Sequence, residues 1–263
     1  MGAHRACSRR VCQSGKGVER QGTCVMLLSV IIPARNEAES IEATLRALLP
    51  FLPMESAEVI VVNDHSTDAT AAVVSRFAAS HPIVRCVSNT GEPGFASALR
   101  AGFREARGRY VLPVMADGCD DPSTIPMMLA RAADGYDLVA GCRYMRGGGK
   151  RGGPLLQGLF STLVCRTLPV LTGLPTRDVS NAFKLYRREP LVRLRLKENG
   201  FAFSMEATLA FFSAGLRIAD VPTIWTGREK GASKFRLRRT LPYVRLYLAA
   251  LRRGLWLRRR SVR

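Results

Sequence analysis

The sequence predicts an α/β protein with a mainly parallel central sheet flanked by helices. Short apolar segments of strand length alternate with helical patterns between residues 27 and 140, and this alternation is typical of a parallel sheet covered by helices. Polar loops follow the predicted strands, at the end of the sheet where open α/β folds bind ligands. With 263 residues, the chain is long enough to bury one large core of this kind.

The first strand is predicted over residues 27–32, where the sequence LLSVII is apolar and rich in β-branched residues. Apolar residues at helical spacing then predict a helix that begins near Glu37. A second strand over 58–62 leads through the polar segment 63–68 into an alanine-rich helix. Polar loops that precede helix N-termini in this way are suited to anions and nucleotides.

Further elements follow in the same alternation. Strands are predicted over 83–88, 110–115 and 137–140, and helices over 95–106 and 125–133. The glycine-rich segment 147–153 is predicted to be flexible. Beyond it the pattern is less regular, with helices predicted over 154–171, 204–214 and 240–256 and strands over 181–186 and 216–221.

The last predicted helix is amphipathic and basic. Its apolar residues are Leu241, Val244, Leu248 and Leu251, and its basic residues are Arg245, Arg252 and Arg253. A helix of this composition is typical of a membrane interface. A basic amphipathic helix packed on its own domain has the same pattern, so both interpretations stay open.

The segment 110–115 is an apolar strand that ends in the carboxylates Asp117, Asp120 and Asp121. Oxygen ligands at the mouth of a strand suit a hard divalent cation, and such cations commonly carry the phosphates of a nucleotide. The alternative is a polar loop that caps the following helix, and Asp121 before Pro122 has the residue types of such a cap.

The composition indicates an anionic partner. Forty Lys and Arg residues against 21 Asp and Glu residues give a formal charge of +19, which favours a nucleic acid, a nucleotide or an acidic membrane surface. Thirteen basic residues and one acidic residue lie within 227–263, so the excess belongs more to the tail than to the core. A nucleic-acid-binding protein is the less favoured class, because the basic residues are not interleaved with aromatic ones in a recognisable module. An NAD-type Rossmann enzyme would need a GxGxxG after the first strand, which this chain lacks.

Three segments are predicted along the chain. Residues 1–26 are predicted to form a leader without the apolar core of a secretory signal, residues 27–235 one large α/β domain, and residues 236–263 the basic helix and tail. Seven cysteines at irregular spacing give no disulfide framework and indicate a reducing compartment. No apolar run reaches the length of a membrane span.

Five motifs in order resemble glycosyltransferase family 2, in the dolichol- or polyprenyl-phosphate mannosyltransferase branch. They are residues 31–37 (IIPARNE), 62–70 (VNDHSTDAT), Gly94 with 98–103 (ALRAGF), 141–144 (GCRY), and Arg228 with 230–234 (KGASK). The resemblance implies a GT-A fold, a nucleotide-binding α/β fold that uses Mg²⁺ or Mn²⁺ to hold a nucleotide diphospho-sugar. It also implies that Pro33, Arg35, Glu37, Asp64 and Gly94 lie in the donor site.

The chain departs from the family at two positions. His65 replaces the usual glycine. The usual Asp-x-Asp aligns with Ala116 and Gly118, so a one-residue shift would make Asp117 a metal ligand, with Asp120 and Asp121 as further candidates. A catalytically degenerate homologue is the alternative that this departure raises.

The resemblance also implies a cluster of hydrogen-bond donors around the diphosphate and the acceptor phosphate. These residues are Arg143, Arg228, Ser233 and Lys234. Arg forms bidentate contacts with phosphate, whereas Lys acts as a point charge. Asp178 and Glu206 match family carboxylates, with Asp178 the candidate base for a sugar-hydroxyl acceptor and a structural role equally open for Glu206. The expected function is metal-dependent, inverting transfer from a nucleotide diphospho-sugar to a lipid-phosphate or glycan acceptor. We expect it at the cytoplasmic face of an anionic membrane, with no nucleic-acid partner.

Overall fold

In the computed structural model, residues 26–153, 155–227 and 240–261 are described. Three parallel strands form one side of the main sheet: β1 (Leu28–Ala34), β2 (Ala57–Asn63) and β3 (Val84–Ser88). They are joined through the helices α1 (Ile41–Leu48) and α2 (Thr70–Ala78). The predicted first three strands and their polar ends are therefore confirmed, and each boundary lies within two residues of its prediction.

The centre of the sheet is β4 (Tyr110–Pro113), which follows helix α3 (Phe95–Glu105) and pairs in parallel with β1. Helix α4 (Ile125–Ala133) leads to β5 (Leu138–Cys142). The strand β4 ends before Met115, because the chain turns at the aspartate-rich loop. The predicted carboxylates therefore do lie just beyond a buried strand.

The glycine-rich segment is not wholly irregular, so the prediction of a flexible 147–153 is wrong for its middle. Gly149–Arg151 forms the short strand β6, followed by helix α5 (Leu155–Thr172), strand β7 (Lys184–Arg187), helix α6 (Arg188–Arg193) and helix α7 (Phe203–Ser213). Strands β8 (Ile218–Pro222) and β9 (Ile224–Thr226) come next, and helix α8 spans Leu241–Ser261.

The described strands form two sheets, with the order β3-β2-β1-β4-β7-β5-β8 in the larger one and β6-β9 in the smaller one. β7 runs antiparallel to both of its neighbours, and the other pairs are parallel. Apolar clusters cover both faces of the larger sheet, so its strands read as continuous apolar runs in the sequence. The predicted mainly parallel α/β architecture is confirmed.

Helix α8 packs against α5, and the hydroxyl of Tyr247 donates to Thr167 Oγ1 at 2.9 Å. Tyr243, Leu246 and Tyr247 line the packed side of α8. Leu241 and Leu248, two of the residues predicted to form its apolar side, are instead 69% and 49% exposed. The helix thus carries apolar residues on a packed side and on an outer side.

Candidate active site

The loops after β1, β2 and β3 are joined by side-chain hydrogen bonds. Asp64 is buried, and its carboxylate accepts from the backbone N–H of Gly94 at 2.9 Å and from Asn89 Nδ2 at 2.7 Å. Its buried carboxylate therefore holds the start of α3 against the end of β2. Asn89 has no role in the sequence-based prediction, although its position after a strand was a usable signal.

The loop after β1 presents Arg35 as an exposed side chain and Glu37 as a half-buried one. Glu37 donates its backbone N–H to Thr70 Oγ1 at 2.9 Å and accepts from Ser40 Oγ at 2.9 Å. Pro33 lies within β1 itself, one residue before its end. The structure thus brings the predicted donor-site residues of β1, β2 and α3 to one edge of the sheet.

Asp68 and His65 stabilise these loops. Asp68 accepts from Thr70 and from the backbone N–H of Ala38; although burial raises its pKa, these hydrogen bonds lower the Asp68 pKa overall. His65 has a φ of 56°, in the left-handed region that favours glycine, which explains why a glycine is usual there. Its Nε2 lies 2.9 Å from the carbonyl oxygen of Gly91, so the histidine links the β2 and β3 loops.

The three predicted metal ligands of the aspartate-rich loop have different structural surroundings. Asp121 Oδ1 accepts from the backbone N–H and the hydroxyl of Ser123, at 3.0 and 2.6 Å, at the start of a short 3₁₀ helix. It is therefore a helix cap, as its position before Pro122 allows. Asp117 Oδ1 accepts from the N–H of Cys119 at 3.2 Å.

Asp120 is the buried carboxylate of this loop. It is 7% exposed and accepts from the backbone N–H of Met115 at 3.0 Å. Burial, together with the neighbouring charge of Asp117, raises the Asp120 pKa to about 7. A buried carboxylate beside a second one favours a bound cation in place of a proton.

A divalent ion would find a partial set of protein ligands here. Within the described residues, no group of three or more His, Cys, Asp and Glu side chains is arranged to hold a metal. Asp117 and Asp120 supply two neighbouring carboxylates, and Mg²⁺ commonly completes its shell with water and substrate phosphates. The chemistry of these two residues fits a metal that arrives with a nucleotide diphosphate.

A pocket of about 260 Å³ opens beside this loop. Strand β9 forms its far side, and Thr226 donates its backbone N–H to the carbonyl oxygen of Cys119 at 3.0 Å. The lining residues are Gly118, Cys119, Asp120, Asp121, Arg151, Ile224 and Thr226. The smaller sheet therefore borders the pocket beside these carboxylates.

Arg143 and Asp178 form a buried ion pair between β5 and the loop before β7. The guanidinium donates from Nε at 2.7 Å and from Nη2 at 2.8 Å, so the contact is bidentate. Asp178 is fully buried, and the Arg143 side chain is 10% exposed. Burial raises the Asp178 pKa, but Arg143 outweighs it and holds that pKa below its usual value.

Lys184 lies behind this pair and is fully buried. Its ammonium donates to the carbonyl oxygens of Val179 and Asn181 at 2.8 and 2.6 Å and to Ser204 Oγ at 3.2 Å. Burial lowers the Lys184 pKa to about 8. This lysine was given no role from the sequence, and it fixes the turn that carries Asp178.

Glu206 occupies a structural position. Its carboxylate accepts from the backbone N–H groups of Lys197 and Glu198 at 2.8–2.9 Å, and so orders the loop before α7. Arg228, Ser233 and Lys234 lie outside the described residues, as do residues 1–25 of the predicted leader over 1–26. The contacts predicted for those three basic and hydroxyl side chains stay predictions.

A family model and several known proteins match much of this chain. The model of glycosyl transferase family 2 matches residues 29–195. An undecaprenyl-phosphate mannosyltransferase of Micrococcus luteus is 33% identical over 215 residues, covering 80% of this chain and 87% of the relative. A polyprenol monophosphomannose synthase of Mycolicibacterium smegmatis is 31% identical over 212 residues, covering 78% and 79%.

Solved structures show the same fold. A glucosyl-3-phosphoglycerate synthase of Mycobacterium tuberculosis, crystallised with Mn²⁺, UDP-glucose and phosphoglyceric acid, superposes with a TM-score of 0.64 at 22% identity. The match covers 87% of this chain and 79% of that one. The α/β architecture described above is therefore the GT-A fold.

Proposed function

Since this chain belongs to glycosyltransferase family 2, we propose that it transfers a hexose from a nucleotide diphospho-sugar to a polyprenyl phosphate, with inversion and with a divalent metal. Two relatives that are 31–33% identical over most of their length are named an undecaprenyl-phosphate mannosyltransferase and a polyprenol monophosphomannose synthase. The observation that carries the proposal is the bidentate Arg143–Asp178 pair. It presents a fixed guanidinium near the carboxylates, and Arg143 lowers the pKa of Asp120 through its charge.

The donor would lie across the ends of β1, β2 and β4. In this proposal Pro33, Arg35, Glu37, Asp64 and Gly94 surround the nucleoside, and Asp117 and Asp120 hold the metal. The metal, when bound, would neutralise the diphosphate as it departs. Arg228, Ser233 and Lys234 would add hydrogen bonds to the same diphosphate.

The reaction needs one bond formed and one broken. An oxygen of the acceptor phosphate attacks the anomeric carbon, and the bond from that carbon to the diphosphate breaks with its electron pair leaving on the nucleotide. Arg143 holds the attacking phosphate, and Asp178 fixes the plane of the guanidinium. Attack opposite the leaving group inverts the configuration.

Asp178 supports a phosphate acceptor over a sugar hydroxyl. A carboxylate with a lowered pKa, paired on both oxygens by Arg143, is a weak base and lies away from solvent. A sugar hydroxyl needs a base, whereas a phosphate oxygen is already anionic at pH 7. In this proposal Asp178 therefore orients Arg143 and takes no proton.

The identity of the nucleotide-sugar donor is tested by the thermal stabilisation of the protein. Nucleotide sugars that bind the folded state should raise Tm, and the rise should depend on Mn²⁺ or Mg²⁺. Transfer from the stabilising donor to a polyprenyl phosphate, followed by mass spectrometry of the lipid product, then tests the reaction. Transfer to neutral glycans alone would contradict the phosphate acceptor.

Arg143→Lys tests the acceptor contact and keeps a positive charge beside Asp178. The variant loses the bidentate fork, so we expect the acceptor KM to rise about tenfold or more while the donor Kd changes little. Kinetics with a soluble, short-chain acceptor measure both. The control is Arg146→Lys, since Arg146 is an exposed arginine of the same loop. Equal losses for donor and acceptor would assign Arg143 to the donor diphosphate.

We propose a membrane surface on the outer sides of α5 and α8. Leu159, Leu163 and Val170 of α5 are 70%, 59% and 71% exposed, and α8 packs beside them with Leu241 and Leu248 outward. Exposed apolar residues gathered on neighbouring helices are typical of interfacial binding. Among the described residues, no helix is both long and apolar enough to span a bilayer. Residues 258–260 of the basic tail are all arginines, and their side chains lie outside the described part of the chain.

This surface predicts loss of vesicle binding in the triple variant Leu163→Gln, Val170→Gln, Leu248→Gln. Partial burial of each side chain is worth on the order of 1 kcal/mol, so vesicle affinity should fall about 100-fold. Co-sedimentation with anionic vesicles measures it. The matched control replaces Met54, Met127 and Val192 by Gln, since these are 50%, 42% and 53% exposed on other elements. Equal losses in both variants would contradict this surface.

A further inference from the structure

Lys150 lies at the centre of β6, and the parallel pairing of β6 with β9 places it beside Trp225. Its ammonium is 5.2 Å from the centroid of the indole ring. A cation over an aromatic face is held in position while its N–H donors stay available. The smaller sheet therefore fixes where this ammonium lies.

Two glycines let Lys150 approach the start of α5. A Cβ atom added to Gly158 would come within 3.1 Å of Lys150 Nζ, and one added to Gly153 within 3.4 Å of Lys150 Cε. The ammonium therefore sits between an indole ring and a helix backbone without a side chain. Lys150 is half-buried in this enclosure.

The Arg143 guanidinium reaches the same part of α5, because its Nη2 donates to Ser180 Oγ at 3.0 Å and that oxygen lies 2.7 Å from Ser161 Oγ. Burial lowers the Lys150 pKa, and the charge of Arg143 lowers it further, with Asp178 opposing both. Asp178 is already paired on both oxygens with the Arg143 guanidinium. Across the described parts of the chain, no acidic side chain forms an ion pair with Lys150. Asp178 is thus occupied by Arg143, and the partly buried ammonium of Lys150 stays available to an external anion.

We propose that Lys150 binds the phosphate group of the acceptor together with Arg143, and that it selects a phosphate monoester over a sugar hydroxyl. This inference rests on the proposed function and adds a specificity-determining residue to it. The ammonium supplies a point charge and the guanidinium a planar fork, so a dianionic phosphate is favoured. A neutral hydroxyl would leave the Lys150 ammonium uncompensated.

The test compares Lys150→Met, Lys150→Arg and the charge control Arg146→Met in the full chain. We use a short-chain polyprenyl phosphate without membranes, so that vesicle binding does not contribute. Lys150→Met should raise the acceptor KM about 10- to 100-fold with little change in donor Kd. Lys150→Arg should recover most of this loss, and Arg146→Met should behave like the wild type.

A second measurement needs no turnover. Trace acetylation of the wild-type protein, read by peptide mass spectrometry, should modify Lys150, and the short-chain polyprenyl phosphate should protect it. An unchanged acceptor KM in Lys150→Met, or equal losses for donor and acceptor, would overturn the inference. If Lys150→Met fails to fold, the protection experiment on the wild-type protein decides.

The two proposals fail differently. If the wild-type protein transfers no sugar to any phosphate, the proposed function is wrong, and protection of Lys150 by polyprenyl phosphate still tests the binding site. If the wild-type protein transfers sugar to phosphate but Lys150 is neither protected nor needed for a low KM, only the role of Lys150 is wrong.

Discussion

Asp117→Asn is expected to abolish metal-dependent binding of the nucleotide sugar while the fold is kept. Asp117 is partly exposed in the loop after β4, and an amide oxygen is a poorer ligand than a carboxylate for a hard cation. The loss should exceed 100-fold in donor Kd in the presence of Mn²⁺. Calorimetric titration with and without Mn²⁺ measures it, and an unchanged Tm without ligand shows that the fold is intact.

Asp121→Asn is the matched control, because it lies in the same loop but caps the 3₁₀ helix through Ser123. We expect it to keep Mn²⁺-dependent donor binding and to change the stability little, because the Oδ1 of Asn caps a helix about as well as that of Asp. The reverse outcome, with donor binding lost in Asp121→Asn and kept in Asp117→Asn, would move the metal to Asp120 and Asp121.

Asp178→Asn is expected to have the largest effect on stability. The variant leaves the Arg143 guanidinium largely buried without its counter-charge, and breaking a buried ion pair in this way costs about 3–5 kcal/mol. Transfer to the polyprenyl phosphate should fall as well, because Arg143 loses its orientation. Urea unfolding at pH 7 and single-turnover kinetics measure the two effects.

The pH dependence gives a check with a definite sign. The folded-state pKa of Asp178 is lowered, so its stabilising effect is complete above the unfolded-state pKa of about 3.9 and is lost as the pH falls through the folded-state value. The stability difference between wild type and Asp178→Asn should therefore be full at neutral pH and shrink in strong acid. A constant difference over the acid range would contradict the buried-pair interpretation.

The double variant Arg143→Met, Asp178→Leu tests whether the two charges stabilise the fold as a pair or independently. Removal of both charges leaves no uncompensated ion, so the double variant should be more stable than Asp178→Asn. It should nevertheless fail to use a phosphate acceptor efficiently. Additive stability losses would show that the two side chains act independently.

The sequence by itself determined the order and kind of most elements. Apolar runs of strand length predicted β1, β2 and β4, and the polar residues after them predicted where a ligand binds. These features are local, because the side-chain periodicity of a strand and the polar residues that end it are both contained in a short stretch of sequence. The motif order then indicated the family, which the comparisons confirmed.

Only the tertiary structure decided what each carboxylate does. Asp120 and Asp121 are neighbours in the chain, yet one is buried beside Met115 and the other caps a helix. Asp178 acquires its role from Arg143, which is 35 residues away in sequence. Local patterns cannot encode such pairings, because burial and charge compensation depend on which segments the fold brings together.

The smaller sheet and the packed side of α8 were likewise decided only by the tertiary structure. Nothing local in the glycine-rich segment distinguishes a flexible loop from β6, whose pairing with β9 joins residues separated by about 75 positions. Likewise the amphipathic pattern of α8 does not say which apolar residues pack on α5 and which face outward. The local sequence is compatible with both alternatives in each case, and packing against a partner element decides between them. Here that packing placed Lys150 beside Trp225 and left Leu248 exposed.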